Sequence, residues 1–358
     1  MIESRRRLAP PALHMQIEPE WAIPPQTGYL LRAIRVAPGA IQALRAGSSW
    51  KVLSSHRHAV NFVDSGGRPL SIVEGRSRMG PFSIEVEATP ARVWYADRSD
   101  PLRIALEGET RVSIDGRTLD LSSAASWNPR PDWSALVTVP WHFEFLPALL
   151  NRLRTSAPPE SLACVLDLLS THSAGPDAHR SRLRDMPRAA AATACLRLCQ
   201  ALAEGKLNDV AAASAALAGM GPGLTPSGDD FLIGVMFGIQ SALPTAKAKA
   251  RSNFIYRASA GRTNRISDAW LLAAADGQAV QSWHELAGAI LTHDRRMVDR
   301  ACQDLIAVGH TSGADALAGF AAFHLTRGSS LAASRGVTNY LPLDRDRRRR
   351  WRSFRVPA

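Results

Sequence analysis

Gly219-Met-Gly221-Pro-Gly223-Leu-Thr225-Pro-Ser227-Gly228-Asp229-Asp230-Phe231-Leu-Ile-Gly234-Val-Met-Phe-Gly238 is the stretch from which the rest of the chain can be read. Gly219, Gly221 and Gly223 alternate with Met220, Pro222 and Leu224, a pattern that suits neither a helix nor a strand interior. Glycine frees the backbone at an entropic cost, so three together mark a tight loop or a close approach of backbone to something else. From Phe231 the chain turns apolar until Leu243 and Pro244, which predicts an apolar helix. Ser227 with Asp230 three residues on has the form of a capping box. The whole reads as a glycine loop delivering a helix N-terminus, where free N–H groups and the dipole favour an anion. The Gly-Lys-Ser/Thr ending of a phosphate-binding P-loop is missing, and so is the dinucleotide Gly-x-Gly-x-x-Gly.

The phrase recurs. Ser227-Gly-Asp-Asp230-Phe-Leu232-Ile-Gly234 aligns with Ser312-Gly313-Ala-Asp315-Ala-Leu317-Ala-Gly319, giving Ser-Gly-x-Asp-x-Leu-x-Gly twice, 85 positions apart. Each copy has a short lead-in containing glycine, the second being Gly309-His310-Thr311. Two helix N-termini built alike are therefore expected, facing one another across an approximate two-fold axis as one two-sided anion site.

Outward from this centre the chain divides. Residues 1–25 and 336–358 read as tails: seven arginines against Asp344 and Asp346 give the last twenty residues +5 of the net charge of +11. Arg347-Arg-Arg-Arg-Trp351 is read as a solvated tail, since no nucleic-acid module accompanies it. Residues 26–121 carry short β-branched or alternating runs, among them Ala59–Val63, Pro69–Val73, Phe82–Val86, Arg92–Tyr95 and Thr110–Ile114. Turn signals at Ser65-Gly-Gly67 and Asp115-Gly116 separate them, which predicts an antiparallel sheet or small barrel. Residues 122–141, with Trp127, Trp133 and Trp141 among prolines, form a connector, and residues 142–335 show helical spacing. The class is α+β: an antiparallel β-rich N-terminal domain followed by a mostly helical C-terminal domain.

The 358 residues, 46% hydrophobic and 21% charged, describe an ordinary globular protein. No apolar segment follows the N-terminal arginines and the Phe231 run is too short to span a bilayer, so the expected location is cytoplasmic, with no membrane partner. Cys164, Cys195, Cys199 and Cys302 complete no zinc pattern and are expected as buried free thiols. No metal and no cofactor is predicted.

Thr263-Asn264-Arg265-Ile-Ser267 is a third polar cluster opening a helix. Arg265 suits a bidentate clamp on a carboxylate or phosphate, and serves equally as a surface arginine beside a cap. Adjacent Asp229 and Asp230 point about 100° apart on a helix, so one caps and the other orients a substrate amide or binds a metal through water. His310 is a candidate proton shuttle. The candidate catalytic residues are Asp229, Asp230 and His310. The candidate binding residues are Gly221, Gly223, Thr225, Ser227, Gly228, Asn264, Arg265, Ser267, Thr311, Ser312, Gly313 and Asp315. Without a nucleophile signature, a transfer reaction run by positioning and charge stabilisation is the chemistry that fits.

Together the motifs at 219–230, 263–267 and 309–319 resemble the AllH-like family, over roughly residues 50–330. The resemblance implies a subunit of oxamate carbamoyltransferase, acting late in allantoin degradation with hetero-oligomeric partner subunits. Its small anionic substrates would be carbamoyl phosphate and oxamate, giving oxalurate and phosphate. Two other readings stand beside it: a non-catalytic protein binding a small carboxylate, and a structural subunit whose glycines serve close helix packing.

Overall fold

A computed structural model describes residues 30–47, 49–56, 58–75, 79–87, 102–170 and 189–334. The run expected as a strand at Arg92–Tyr95, and both tails, lie outside the described residues.

The N-terminal part holds β1 (Leu30–Val36), helix α1 (Pro38–Ala46), β2 (Trp50–His56), β3 (Ala59–Asp64) and β4 (Pro69–Val73). It continues with β5 (Ser83–Val86), β6 (Ile104–Glu107), β7 (Arg111–Ile114), β8 (Arg117–Asp120) and the short β9 (Ala125–Ser126). The strand order is β2-β3-β4-β5-β1-β8-β7-β6, with β9 beside β1. Trp50 of β2 and Leu102, just before β6, form an antiparallel bridge, so the two ends of that order nearly meet. Alternation places Val60 and Phe62 inward along β3, and Trp50, Leu70, Ile72, Ile84, Ile114 and Leu119 complete the core with Ala40, Ala43 and Leu44 of α1. At Asp115-Gly116 both residues have positive φ, the geometry of a tight two-residue hairpin turn joining β7 to β8.

One expectation needs correction. The sheet is mixed: β1 runs parallel to β8 and β9, and β4 parallel to β5. Local alternation marks each strand but not its direction, which depends on how the longer connections return the chain.

The C-terminal part comprises α2 (Trp133–Thr138), α3 (Trp141–Ser156), α4 (Val165–Ser170), α5 (Ala189–Glu204), α6 (Leu207–Leu217) and α7 (Ser227–Gln240). Then come α8 (Thr245–Ser259), α9 (Arg265–Ala275), α10 (Gln281–Leu291), α11 (Arg295–Ile306) and α12 (Ser312–Ser334). Two tryptophans of the connector, Trp133 and Trp141, are built into this half, whereas Trp127 packs with Ala37, Val73 and Met79 of the β-rich half. Trp133 stacks on Phe237 and donates its Nε1–H to the Gly277 carbonyl at 2.8 Å, and Trp141 stacks on Phe320.

Helix α7 is buried on every side, as its all-round apolar sequence requires. Its partner is α12. A Cβ on Gly234 would stand 1.8 Å from the Ala316 carbonyl oxygen, and one on Gly319 would stand 2.1 Å from the Phe231 carbonyl oxygen. These two contacts are one contact seen twice, because Gly319 and Ala316 occupy the positions of Gly234 and Phe231 in the other copy of the repeat. Further along, Gly238 lies against the Phe323 ring. The contacts advance along both helices together, so α7 and α12 run side by side in the same direction about a local two-fold axis.

Candidate functional site

Because the paired helices are parallel, their N-termini share one end of the helical half. Thr225 Oγ1 lies 2.8 Å from Ser312 Oγ, joining the two lead-ins directly. The expectation of two like N-termini therefore meets a side-by-side arrangement instead of two ends pointing at each other.

Both lead-ins are constructed alike. Gly228 N–H donates to the Met220 carbonyl at 2.9 Å, and Gly313 N–H donates to the Val308 carbonyl at 3.1 Å. A Cβ on Gly228 would stand 2.1 Å from the Leu217 carbonyl oxygen, and one on Gly313 would stand 1.7 Å from that of Leu305. The second position of the motif is thus glycine because the preceding helix ends against it. The carbonyls of Pro226 and Thr311 accept the N–H groups of Asp230 and Asp315 at 3.1 and 2.8 Å, which makes Pro226 and Thr311 the caps. Ser227 is then the first helical residue, and helix α7 has no side-chain cap, so the capping box between Ser227 and Asp230 does not form. Pro226, with φ −57° and ψ 143°, holds the extended geometry that a cap needs.

The glycine loop stands open to solvent from Gly221 to Leu224. Gly221 (φ 118°) and Gly223 (φ 98°) lie in the region that side-chain-bearing residues avoid. Around Gly223 the space is open, whereas a Cβ on Gly221 would press on the Ser227 backbone nitrogen at 2.9 Å.

Asp229 is fully buried and binds this loop to the third motif. Its Oδ1 accepts from Gly219 N–H at 2.8 Å, and its Oδ2 accepts from Thr263 Oγ1 at 2.5 Å and Ser267 Oγ at 2.7 Å. Asn264 caps α9 by accepting from the N–H groups of Ile266 and Ser267, and it donates to the Leu224 carbonyl at 2.9 Å. Asn264 and Ser267 are thereby committed to holding segments together. Ala314 stands where the second copy would have Asp229, so this tie exists on one side of the two-fold only.

Asp230 and Asp315 occupy equivalent positions and are 5% and 0% exposed. Asp315 Oδ1 accepts from the Leu162 N–H at 2.5 Å. Asp230 Oδ2 is buried without a hydrogen-bond partner. Burial drives the Asp230 carboxyl well above the ordinary carboxylate range, against the hydrogen bond from Ser312, and the charges of Asp315 and Asp229 push the same way.

The remaining candidates are at the rim. Arg265 is exposed and reaches across to the β-rich part, where Nη1 donates to the Ser65 carbonyl at 3.3 Å and Gly67 lies beneath its side chain. His310 is exposed beside the half-buried Thr311 and Ser312. Among the described residues no group of three His, Cys, Asp or Glu side chains is placed to hold a metal ion. Burial pushes the thiols of Cys199 and Cys302 up to about 12 and that of Cys195 well above its usual range, which leaves them poor nucleophiles. Cys164 is half-buried, against the expectation for it.

Two participants escaped the sequence reading. Thr263 was visible in its motif but nothing marked it as a partner of Asp229. Leu162 contributes only a backbone N–H from 153 residues away, and no sequence signal could have pointed to it.

These features define an α+β protein built on two parallel, glycine-seamed helices of like sequence. Residues 217–324 match the family described as Oxamate carbamoyltransferase subunit AllH, the family that the three motifs resemble. The match runs from the end of α6 well into α12 and so takes in all three motifs. No curated protein and no solved structure matches the chain. No helix among the described residues is long and apolar enough to cross a membrane.

Proposed function

We propose that the chain is a carbamoyltransferase subunit, binding small anionic substrates where the N-termini of α7 and α12 meet and working with partner subunits. The observation that carries this reading is the Thr225–Ser312 contact between two like helix starts, inside the stretch that matches a carbamoyltransferase subunit family. The positive ends of two parallel helix dipoles standing side by side favour negative charge there. The exposed N–H groups of Gly221 and Gly223 and the hydroxyls of Thr225, Ser227, Thr311 and Ser312 supply donors. Gly228 and Gly313 let each preceding helix end against the helix start, and Asp229, Asn264 and Ser267 hold the loop in place. Arg265 and His310 line the approach.

In the reaction, the oxamate amide nitrogen attacks the carbamoyl carbon of carbamoyl phosphate. A C–N bond forms, the C–O bond to phosphate breaks, and the amide proton leaves with the phosphate, giving oxalurate. Positioned donors offset the charge that gathers on the departing phosphate. Asp315, locked by Leu162, helps to set the geometry.

A second reading draws on the packing itself: Gly234 and Gly319 in the seam, and Gly228 and Gly313 against the preceding helices, all meet backbone at distances that forbid a Cβ, as a purely structural subunit would require. Gly223, with open space around it, has no such explanation. Thermal melting with carbamoyl phosphate, oxamate, oxalurate and neutral urea separates the two. A ligand at about a hundred times its Kd adds roughly 2.7 kcal/mol, a shift of several degrees. Stabilisation by the anions and not by urea, diminished in Ser312→Ala, is expected, and no shift with any anion would leave the structural reading.

A further inference from the structure

Asp230 holds a carboxylate oxygen that its surroundings leave without a hydrogen-bond partner. It lies in the first turn of α7, 5% exposed, with Oδ2 buried and unpartnered, while the Thr225 and Ser312 hydroxyls act on the same carboxyl group. A buried polar atom with no partner costs free energy, and it is retained where something else completes it. Neighbouring Asp229 shows the contrast, since both of its oxygens are fully engaged.

We propose that the Asp230 carboxyl carries its proton and donates it in a hydrogen bond to a bound oxyanion, in a niche shared with the hydroxyls of Thr225 and Ser312 at the paired starts of α7 and α12. This inference rests on the anion-binding reading above and adds to it the protonation state on which binding depends.

The electrostatics of the niche select the kind of ligand. An ionised Asp230 would itself be the anion at the helix N-termini and would repel another. The titratable groups acting on it are Asp315 from α12 and Asp229 on its own helix, both of which favour the neutral form, as burial does. In that form Oδ2 can hold a donor, and the hydroxyls beside it can donate too. With one hydroxyl of the Thr225–Ser312 pair donating to the other, the niche presents the Asp230 O–H and the remaining hydroxyl hydrogen to the ligand, which suits a small oxyanion such as the phosphate or carboxylate of the substrates. The two helix dipoles oppose a cation in the same place.

The test is calorimetric titration of the full chain with sulfate, an oxyanion that does not titrate in the range, repeated at rising pH from mildly acidic to alkaline conditions. Wild-type affinity should weaken as the pH rises through the Asp230 pKa, by up to about tenfold per pH unit, because one proton is linked to binding. Asp230→Asn, whose amide N–H donates at any pH, should bind sulfate with an affinity that stays flat across the range. Asp230→Ala should bind weakly throughout, with thermal melting of both variants showing that they fold. Sulfate affinity equal in wild type, Asp230→Asn and Asp230→Ala would overturn the inference while leaving an anion site. Absence of wild-type binding at every pH would overturn the anion-binding reading itself.

Discussion

Gly234 and Ala316 approach so closely that a Cβ on the glycine would lie 1.8 Å from the alanine's carbonyl oxygen, and Gly319 and Phe231 repeat this relationship on the other side of the local two-fold. The interlock sets how near α7 and α12 stand, and so brings Thr225 and Ser312 within hydrogen-bond reach. The geometry of the site follows from the glycine seam.

Substituting the seam should therefore act on stability. Gly234→Ala is expected to cost about 3 kcal/mol, since the new methyl meets backbone that cannot move aside. Gly223→Ala should cost about 1 kcal/mol, from its φ of 98° alone, as the surrounding space is open. Urea unfolding of both variants checks the ranking, and equal costs would contradict it.

Asp229 is expected to behave as a structural anchor. Asp229→Ala removes the buried acceptor of the Gly219 N–H and the Thr263 and Ser267 hydroxyls, of which Ser267 is itself buried, and should destabilise the protein by roughly 2 kcal/mol. Proteolysis should then cut the loop at 219–224 faster. A variant that melts like the wild type would show the triple contact to be dispensable.

The Thr225–Ser312 contact should couple energetically. In a double-mutant cycle with Thr225→Val and Ser312→Ala, the interaction energy is expected at about 1 kcal/mol, measured by denaturant unfolding. A value of zero would mean that the two lead-ins meet without holding each other.

The Asp230 carboxyl gives stability a defined pH dependence. Its pKa is raised on folding above the ordinary aspartate value of 3.8, so the native state holds the proton more firmly than the unfolded chain does. That contribution is fully present below about pH 3.8 and is lost as the pH climbs through the folded value. Asp230→Asn should gain on the wild type steadily over that window in melting temperature. A constant difference from acid to neutral pH would refute the sign.

Much of this was legible in the residues. Short alternating runs such as Ala59–Val63 announced strands, and the apolar stretch from Phe231 announced a helix, because side-chain periodicity is a local property. The repeat of Ser-Gly-x-Asp-x-Leu-x-Gly was likewise plain, and with the motif at 263–267 it led to the family that residues 217–324 match. The sequence alone also determined that glycine occupies the loop at 219–223.

The tertiary structure decided the rest, because contacts between distant segments leave no local trace. It made the sheet mixed and brought its ends together through Trp50 and Leu102. It set the two motif helices parallel, turned Ser227 from a cap into a first helical residue, and sent Arg265 across to Ser65. It also distinguished two adjacent aspartates that the chain presents as near equals. Asp229 faces three donors from other segments, whereas Asp230 faces the neighbouring helix and a second carboxylate. The hundred-degree step between successive helical residues separates the two environments, and packing alone fills each of them.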